Sequence, residues 1–293
     1  MFSNEIFESF LSTQSLFRYF FSFLILINFI LIFSLLFQIR KANKIKFLFD
    51  LKKISELDPK KFTILIIIAH PDDEIMFFTP SILALNKLKI PIKILCLSTG
   101  NFYGIGETRK KEFESVSNYL NLKHNKILNV PELQDNLFSK WDEKFISKII
   151  KNFLIENKDV NIIFTFDENG VTKHPNHISC FKGIEKFISE NRKFVIENKY
   201  KFFLLESFNP LCQYSLFFPF VFFFFGEIGF FKNNFFEEFK IMKIYQSQFN
   251  WKRKLHVISS GYTYFNSFIK VEVENKENNN NNNNNDNNKK KID

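Results

Sequence analysis

The sequence predicts an α/β protein: a Rossmann-like, mostly parallel sheet with helices on both faces, preceded by one N-terminal transmembrane helix. Three observations lead there. Residues 19–38 form a long run without a charge. From 62 to 207, strand-like and helix-like segments alternate, the pattern of a parallel sheet with helical crossovers. And two turns rich in His and Asp each follow directly on an apolar, strand-like run, where open α/β sheets bind their ligands.

The first element is YFFSFLILINFILIFSLLFQ (19–38). A helix needs about 20 apolar residues to cross a bilayer core. This one is apolar all round, without the polar face of a surface helix. It is longer than the apolar part of a cleaved signal peptide and lacks an obvious small-residue cleavage site. Before it stand Glu5, Glu8 and Arg18. After it, residues 40–61 carry eight basic residues against three acidic ones, a net +5. Positive flanks stay in the cytosol. The expectation is a single-pass signal anchor: residues 1–18 lumenal, 19–38 in the membrane, and 39–61 a basic linker against anionic headgroups. Everything beyond would be cytosolic.

The catalytic-sized remainder, 62–271, is expected to be one domain. FTILIIIA (62–69) reads as a strand buried on both faces, and EIMFFTPSILALNKLK (74–89) as a helix despite Pro80. IKILCLST (92–99) is a second strand, and 107–122 shows helical periodicity. NKILNV (125–130), a helix over 141–156, NIIFTF (161–166), a helix over 177–193 and KFFLLES (201–207) continue the alternation. SLFFPFVFFFF (215–225) is too short to span a membrane and is broken by Pro219. It reads as a core segment or lid, or as an interfacial segment dipping into the bilayer. The tail, 272–293, contains eight consecutive Asn and cannot bury a core, so it is expected to be disordered.

Composition narrows the partners. The 43 phenylalanines suggest contact with something apolar besides the chain itself, and a net charge of +9 calls for an anionic partner. Much of that charge lies beside the span, where lipid headgroups account for it without nucleic acid. The cysteines, Cys96, Cys180 and Cys212, are odd in number and far apart. They make no disulfide framework, which fits a reducing compartment.

The loop His70-Pro71-Asp72-Asp73-Glu74 ends the first strand. An imidazole with a carboxylate is a zinc-binding pair, and two adjacent aspartates can point differently, one to a metal and one to a substrate. The competing reading is that Asp72 and Asp73 only cap the following helix. The second loop, FDENGVTKHPNH (166–177), adds His174 and His177 at the mouth of another helix. Three of five histidines thus fall in two strand-end loops, an N/O donor set with room for an open, catalytic position. His124 and His256 lack such a context and read as ordinary surface or core residues. Glu74 reads as a group supporting the metal ligands from behind or, by preference, as a helix N-terminal charge. Arg109 reads as a sugar- or phosphate-binding group, or as a structural partner of Glu112 or another carboxylate.

AHPDDE (69–74) with HPNH (174–177) resembles the zinc-dependent GlcNAc de-N-acetylases of the LmbE/PIG-L superfamily. LSTGNFYGIGETRKKE (97–112), TFDENGVTKHPNH (165–177) and YQSQFNWKRKL (245–255) resemble further blocks of that family, the last one typical of its eukaryotic PIG-L branch. The resemblance covers about 62–271. It implies Zn2+, or another divalent ion, on His70, Asp73 and His177, with Asp72 as general base and a protonated His174 stabilising the oxyanion. It also implies GlcNAc-phosphatidylinositol as substrate, an endoplasmic reticulum membrane location and a step of GPI-anchor synthesis. The chain departs from the pattern at Asn176, where many soluble members have Asp.

Other classes fit less well. A de-N-acetylase of another GlcNAc conjugate would not need the span. A glycosyltransferase with an Asp-rich metal loop would not need the histidines. A non-enzymatic tether with a vestigial site would not keep His70, Asp72, Asp73, His174 and His177 together. The sequence leaves the oligomeric state open.

Overall fold

The structure, a computed structural model, describes residues 63–122, 124–136, 140–208, 213–214, 228–232, 235–273 and 290–291, together with Ser22. The chain divides between Phe49 and Asp50, and the sheet and its helices belong to the second unit. The expected span (19–38), its linker, the segment 215–225 and most of the tail lie outside the described residues. Among the described residues no helix is long and apolar enough to cross a membrane.

Five strands are parallel: β1 (Thr63–Ile68), β2 (Ile92–Cys96), β3 (Lys126–Ile127), β4 (Val160–Phe166) and β5 (Lys201–Leu205). β1 is buried along its whole length. Continuous Ile and Leu suit a strand covered on both faces. Two strands near the C-terminus, β6 (Ile228–Phe231) and β7 (Phe265–Glu272), complete the order β3-β2-β1-β4-β5-β7-β6. β7 runs antiparallel to β5 and β6. A two-residue strand, β8 (Lys290–Lys291), pairs with the end of β7.

The helices are α1 (Asp73–Lys87), α2 (Gly106–Tyr119), α3 (Glu143–Glu156), the short α4 (Gly170–Lys173), α5 (Pro175–Glu190), α6 (Arg192–Glu197), α7 (Phe236–Met242), α8 (Trp251–Ser259) and α9 (Gly261–Tyr264). From β1 the chain winds outward through α1 and α2 to β3. It then returns through α3 and α5 to the other side of β1. Right-handed crossovers in both directions put α1 and α2 on one face and α3 and α5 on the other. The expected strands and helices up to residue 205 match within a few residues. The antiparallel β6–β7 pair and α7–α9 are additions. Their segments are short, and β6 sits next to a Phe-rich run with no alternation to read.

Pro80 explains why that C-terminal part packs where it does. Proline has no N–H for the carbonyl four residues back, and its ring disturbs the turn. The freed Met76 carbonyl instead accepts from His256 Nε2 at 3.0 Å. One residue on, the Asn266 amide enters the ladder: Ser81 N donates to its Oδ1 at 3.1 Å, and its Nδ2 donates to the Phe77 carbonyl at 2.7 Å. Buried backbone groups must find partners, and α8 and β7 supply them. His256 is therefore a core residue with a defined task.

Candidate metal and catalytic site

β1 and β4 are neighbours whose crossovers leave in opposite directions, so their carboxyl ends flank the topological switch point. Both motif loops lie there. They line a pocket of about 390 Å³ with His70, Asp72, Asp73, Arg109, His174 and His177 on its walls. A larger cavity, about 750 Å³, lies at the opposite end of the sheet near Thr63 and Ile92 and holds none of these groups. Size does not decide between them; the donor chemistry does.

Asp73 is aimed by the backbone behind it. Its Oδ2 accepts from Ala69 N at 3.1 Å and His70 N at 2.8 Å. That leaves Oδ1 facing His177 Nε2 at 3.2 Å. The other His177 nitrogen, Nδ1, donates to the Gly170 carbonyl at 3.0 Å, so Nε2 presents a lone pair to a carboxylate oxygen. Two buried acceptors face to face need a proton or a cation between them. Ligand atoms about 2.0–2.1 Å from a tetrahedral zinc lie about 3.3 Å apart, close to this separation. Burial opposes the charge on Asp73, but His177 and His70 outweigh it and hold its carboxyl well below the usual range. Burial likewise opposes the charge on His177, and Asp73 raises its pKa overall. His70, His174 and His177 each bring a nitrogen within 4.8 Å of the others, a group that could hold a metal ion. The donor set therefore fits a divalent cation.

Gly170 makes this geometry available. Its φ is +57°, a left-handed conformation that suits glycine, and a Cβ there would meet His177 Cβ and Ile178 N at 2.9 Å. The loop around it hangs on Asp167. That carboxylate accepts from the backbone N–H of Asn169, Gly170 and Ser207 and from the Ser207 hydroxyl. Ser207 Oγ in turn accepts from Val171 N at 2.7 Å. Val171 itself sits at φ +61°, a costly place for a β-branched residue.

His70 is held from the far side. Its Nε2 lies 3.2 Å from Asp135 Oδ1. A proton on Nε2 serves that carboxylate and leaves Nδ1, 3.7 Å from Asp73 Oδ2, as the free lone pair. This is the carboxylate–histidine arrangement that orients metal ligands. Asn176 is fully buried, with its amide nitrogen 2.9 Å from the same Nε2 and its oxygen without a partner. The same amide nitrogen donates to Asp135 Oδ1 at 3.4 Å, bracing the carboxylate that faces His70. Burial alone would raise the Asp135 pKa, but the His70 hydrogen bond and Arg109 pull it down overall.

The capping reading fails for both aspartates. Asp72 occupies the N-cap position of α1, but its side chain makes no capping bond. Its carboxylate is clamped by two arginines: Arg109 Nη2 at 3.0 Å from Oδ1, and Arg253 Nε and Nη2 at 3.0 and 2.9 Å from Oδ2. Its φ of 97° is left-handed, a strain tolerated where surroundings over-determine it. Arg109 lines the pocket yet is buried, with three bonds to the protein: Asp72 and the Pro71 and Gly100 carbonyls. Its carboxylate partner is thus Asp72 and not Glu112, which accepts from Ser247 N and Oγ. Glu74 is a correction too. It is fully buried, accepts from Tyr245 Oη and Asp72 N, and burial pushes its carboxyl up to about 8, so it is no helix-end charge. His174 differs from expectation in charge. Burial, then His177 and His70, push it down to about 4, a neutral ring at neutral pH. Its Nδ1 accepts from Asn176 N at 3.3 Å, which leaves the proton on Nε2.

Sequence reasoning missed Asp135, Asp167, Tyr245 and Arg253. Asp135 follows the third strand-like run, so its place at a strand end was a usable signal. Arg253 looked like one cation in a basic run.

A parallel sheet with a His/Asp pocket at its switch point defines the class: an α/β domain with a candidate metal site at its carboxyl edge. Residues 65–188 match the family described as PIG-L: GlcNAc-PI de-N-acetylase. The chain is 38% identical over 155 residues to a Schizosaccharomyces pombe protein named "Probable N-acetylglucosaminyl-phosphatidylinositol de-N-acetylase", covering 52% of this chain and 60% of that one. It is 39% identical over 135 residues to the Saccharomyces cerevisiae N-acetylglucosaminyl-phosphatidylinositol de-N-acetylase, covering 44% of each. The chain thus spans only about half the length of these curated relatives. Among solved structures, the N,N'-diacetylchitobiose deacetylase of Pyrococcus horikoshii shares the fold, with a TM-score of 0.53 at 15% identity, covering 79% of this chain and 91% of that one.

Proposed function

We propose that this protein hydrolyses the N-acetyl group of GlcNAc-phosphatidylinositol, giving acetate and glucosaminyl-phosphatidylinositol, as a step of GPI-anchor synthesis. The observation that carries the proposal is the His177–Asp73 pair beside Asp72 in a pocket whose two motif loops lie in the stretch that matches the PIG-L family. His70, Asp73 and His177 would hold the metal. A bound zinc ion would supply a Lewis acid and a water acidified to a pKa of about 7.

The chain's own residues do the rest. Asp72, fixed by Arg109 and Arg253, keeps a lone pair on Oδ1, which takes a single bond from Arg109. It takes the proton of the attacking water and returns one to the leaving amine nitrogen. His174, with its proton on Nε2, donates to the oxygen that becomes negative, a contribution worth about 3–4 kcal/mol for a well-placed donor. Arg109 serves the substrate chiefly by holding Asp72. The tether at 19–38, the cytosolic face of the endoplasmic reticulum and the domain limits 62–271 belong to the same proposal, supported by the uncharged run and the +5 flank after it.

The test is acetate release from radiolabelled GlcNAc-phosphatidylinositol by purified protein in detergent, with chelator and with zinc added back. Release that stops with chelator and returns with metal supports the reading. Metal-loaded protein that releases nothing from this lipid, but does so from another GlcNAc conjugate, would replace the substrate.

A further inference from the structure

The outer face of α8 takes no part in the site. At 100° per residue, Trp251, Leu255 and Ile258 fall in one narrow band along the helix, and all three are exposed, Trp251 at 69%. His256 and Val257 occupy the opposite, buried face, while Arg253 turns inward to Asp72. Lys252 and Lys254 flank the band on either side. The ammonium of Lys252 stands 6.0 Å from the Trp251 ring, and that of Lys254 stands 4.7 Å from the Phe249 ring. No Asp or Glu occurs between Gln248 and Gly261.

Single exposed apolar residues are ordinary. Three on one face, edged by lysines, match a helix lying in the plane of a membrane interface. The position of the helix adds to this. Its inner side contributes Lys252, Arg253 and His256 to the pocket wall, and the exposed rings of Phe102, Tyr103 and Tyr214 line the same pocket. A partner must therefore accept apolar side chains and attract cations beside the pocket mouth. A bilayer containing acidic lipid does both. A second copy of a chain with net charge +9 would bring lysine against lysine.

We propose that α8 is an interfacial helix that seats the pocket rim on an acidic bilayer surface. This deepens the reading of a lipid-linked substrate and rests on it. The chain has two tryptophans, and Trp141 is buried. The emission of the wild type minus that of Trp251→Phe therefore isolates Trp251. The full chain is reconstituted in vesicles of phosphatidylcholine and phosphatidylinositol, with or without brominated acyl chains. Trp251 emission should be quenched by the brominated chains and shielded from aqueous acrylamide, and both effects should weaken when phosphatidylinositol is omitted. Leu255→Ser with Ile258→Ser should reduce the quenching several-fold, while hydrolysis of a water-soluble, short-chain GlcNAc-phosphoinositide stays unchanged. Trp251 emission indifferent to brominated chains overturns the proposal. So does shielding that appears without quenching and grows with protein-to-lipid ratio, which would mark a second copy on this face. A wild type that quenches normally but leaves the soluble substrate untouched sinks the proposed reaction instead.

Discussion

Asp167 touches no candidate ligand, yet the metal affinity should depend on it. Its carboxylate takes the backbone N–H groups of Asn169 at 3.0 Å, Gly170 at 3.1 Å and Ser207 at 2.8 Å, and the Ser207 hydroxyl. Gly170 is the residue whose carbonyl fixes the His177 tautomer. In Asp167→Asn one acceptor becomes an NH2 group. Whichever way the amide turns, at least one buried N–H faces a donor. Losing one bond to a charged acceptor costs about 1.5–3 kcal/mol, and the surviving bonds lose their charge assistance. Relief of the desolvated charge, which raises the Asp167 pKa, offsets part of this. The net loss is about 2–3 kcal/mol, or about 5–10 °C in Tm for a domain of this size. With the loop loosened, metal affinity should fall about 10–100-fold, the usual effect of removing a buttress behind a ligand. The assay is a zinc titration against a competing chelator, alongside a melt of the chelated protein. Wild-type zinc affinity in a variant whose Tm has dropped would refute the link from Asp167 through Gly170 to His177.

Other outcomes are expected as well. Asp72→Asn should abolish acetate release but keep bound metal, whereas His177→Ala should lose both, as metal analysis of the purified variants will show. Gly100→Ala should cost activity without removing metal. The position has φ +65°, and a Cβ would lie 2.2 Å from Arg109 Nη1, displacing the guanidinium that holds Asp72; a kcat equal to wild type would contradict this. Glu238 gives a pH signature remote from the site. It is fully buried 3.0 Å from Lys232, and burial raises its pKa from 4.5 to about 7. The folded state favours its protonated form, so this stability is present below pH 4.5 and is lost as the pH rises to about 7, about 3 kcal/mol in all. Denaturant midpoints between pH 5 and 7 should fall for the wild type and stay flatter for Glu238→Gln.

The parallel half of the fold was legible because its strands are buried on both faces and so read as unbroken Ile, Leu and Phe runs. The two motif loops were legible because polar clusters stand out at the ends of such runs. What sequence could not show was the set of single residues that reach the site from far along the chain. Asp135, Tyr245 and Arg253 have no spacing relation to His70 or Asp72, and their roles come from tertiary packing alone. The charge states of Glu74 and His174 were hidden for the same reason. A residue type gives the ordinary pKa; burial and neighbours set the actual one.

The repair of α1 at Pro80 also has a meaning in time. Ser81 and Asn266 are 185 residues apart, and ribosomes add about 5–20 residues per second. For about 10–40 seconds the newborn chain holds a first helix with an open turn, its Met76 and Phe77 carbonyls still facing water. Tyr245 has not yet emerged to meet Glu74, nor Arg253 to meet Asp72. The His70–Glu74 loop is thus among the first parts of the domain to be made and among the last to be completed. A nascent chain stalled before residue 250 should carry the histidines and aspartates of both loops but a helix without its back wall. Premature termination in the last forty residues of the domain would then strike the beginning of the fold as hard as its end.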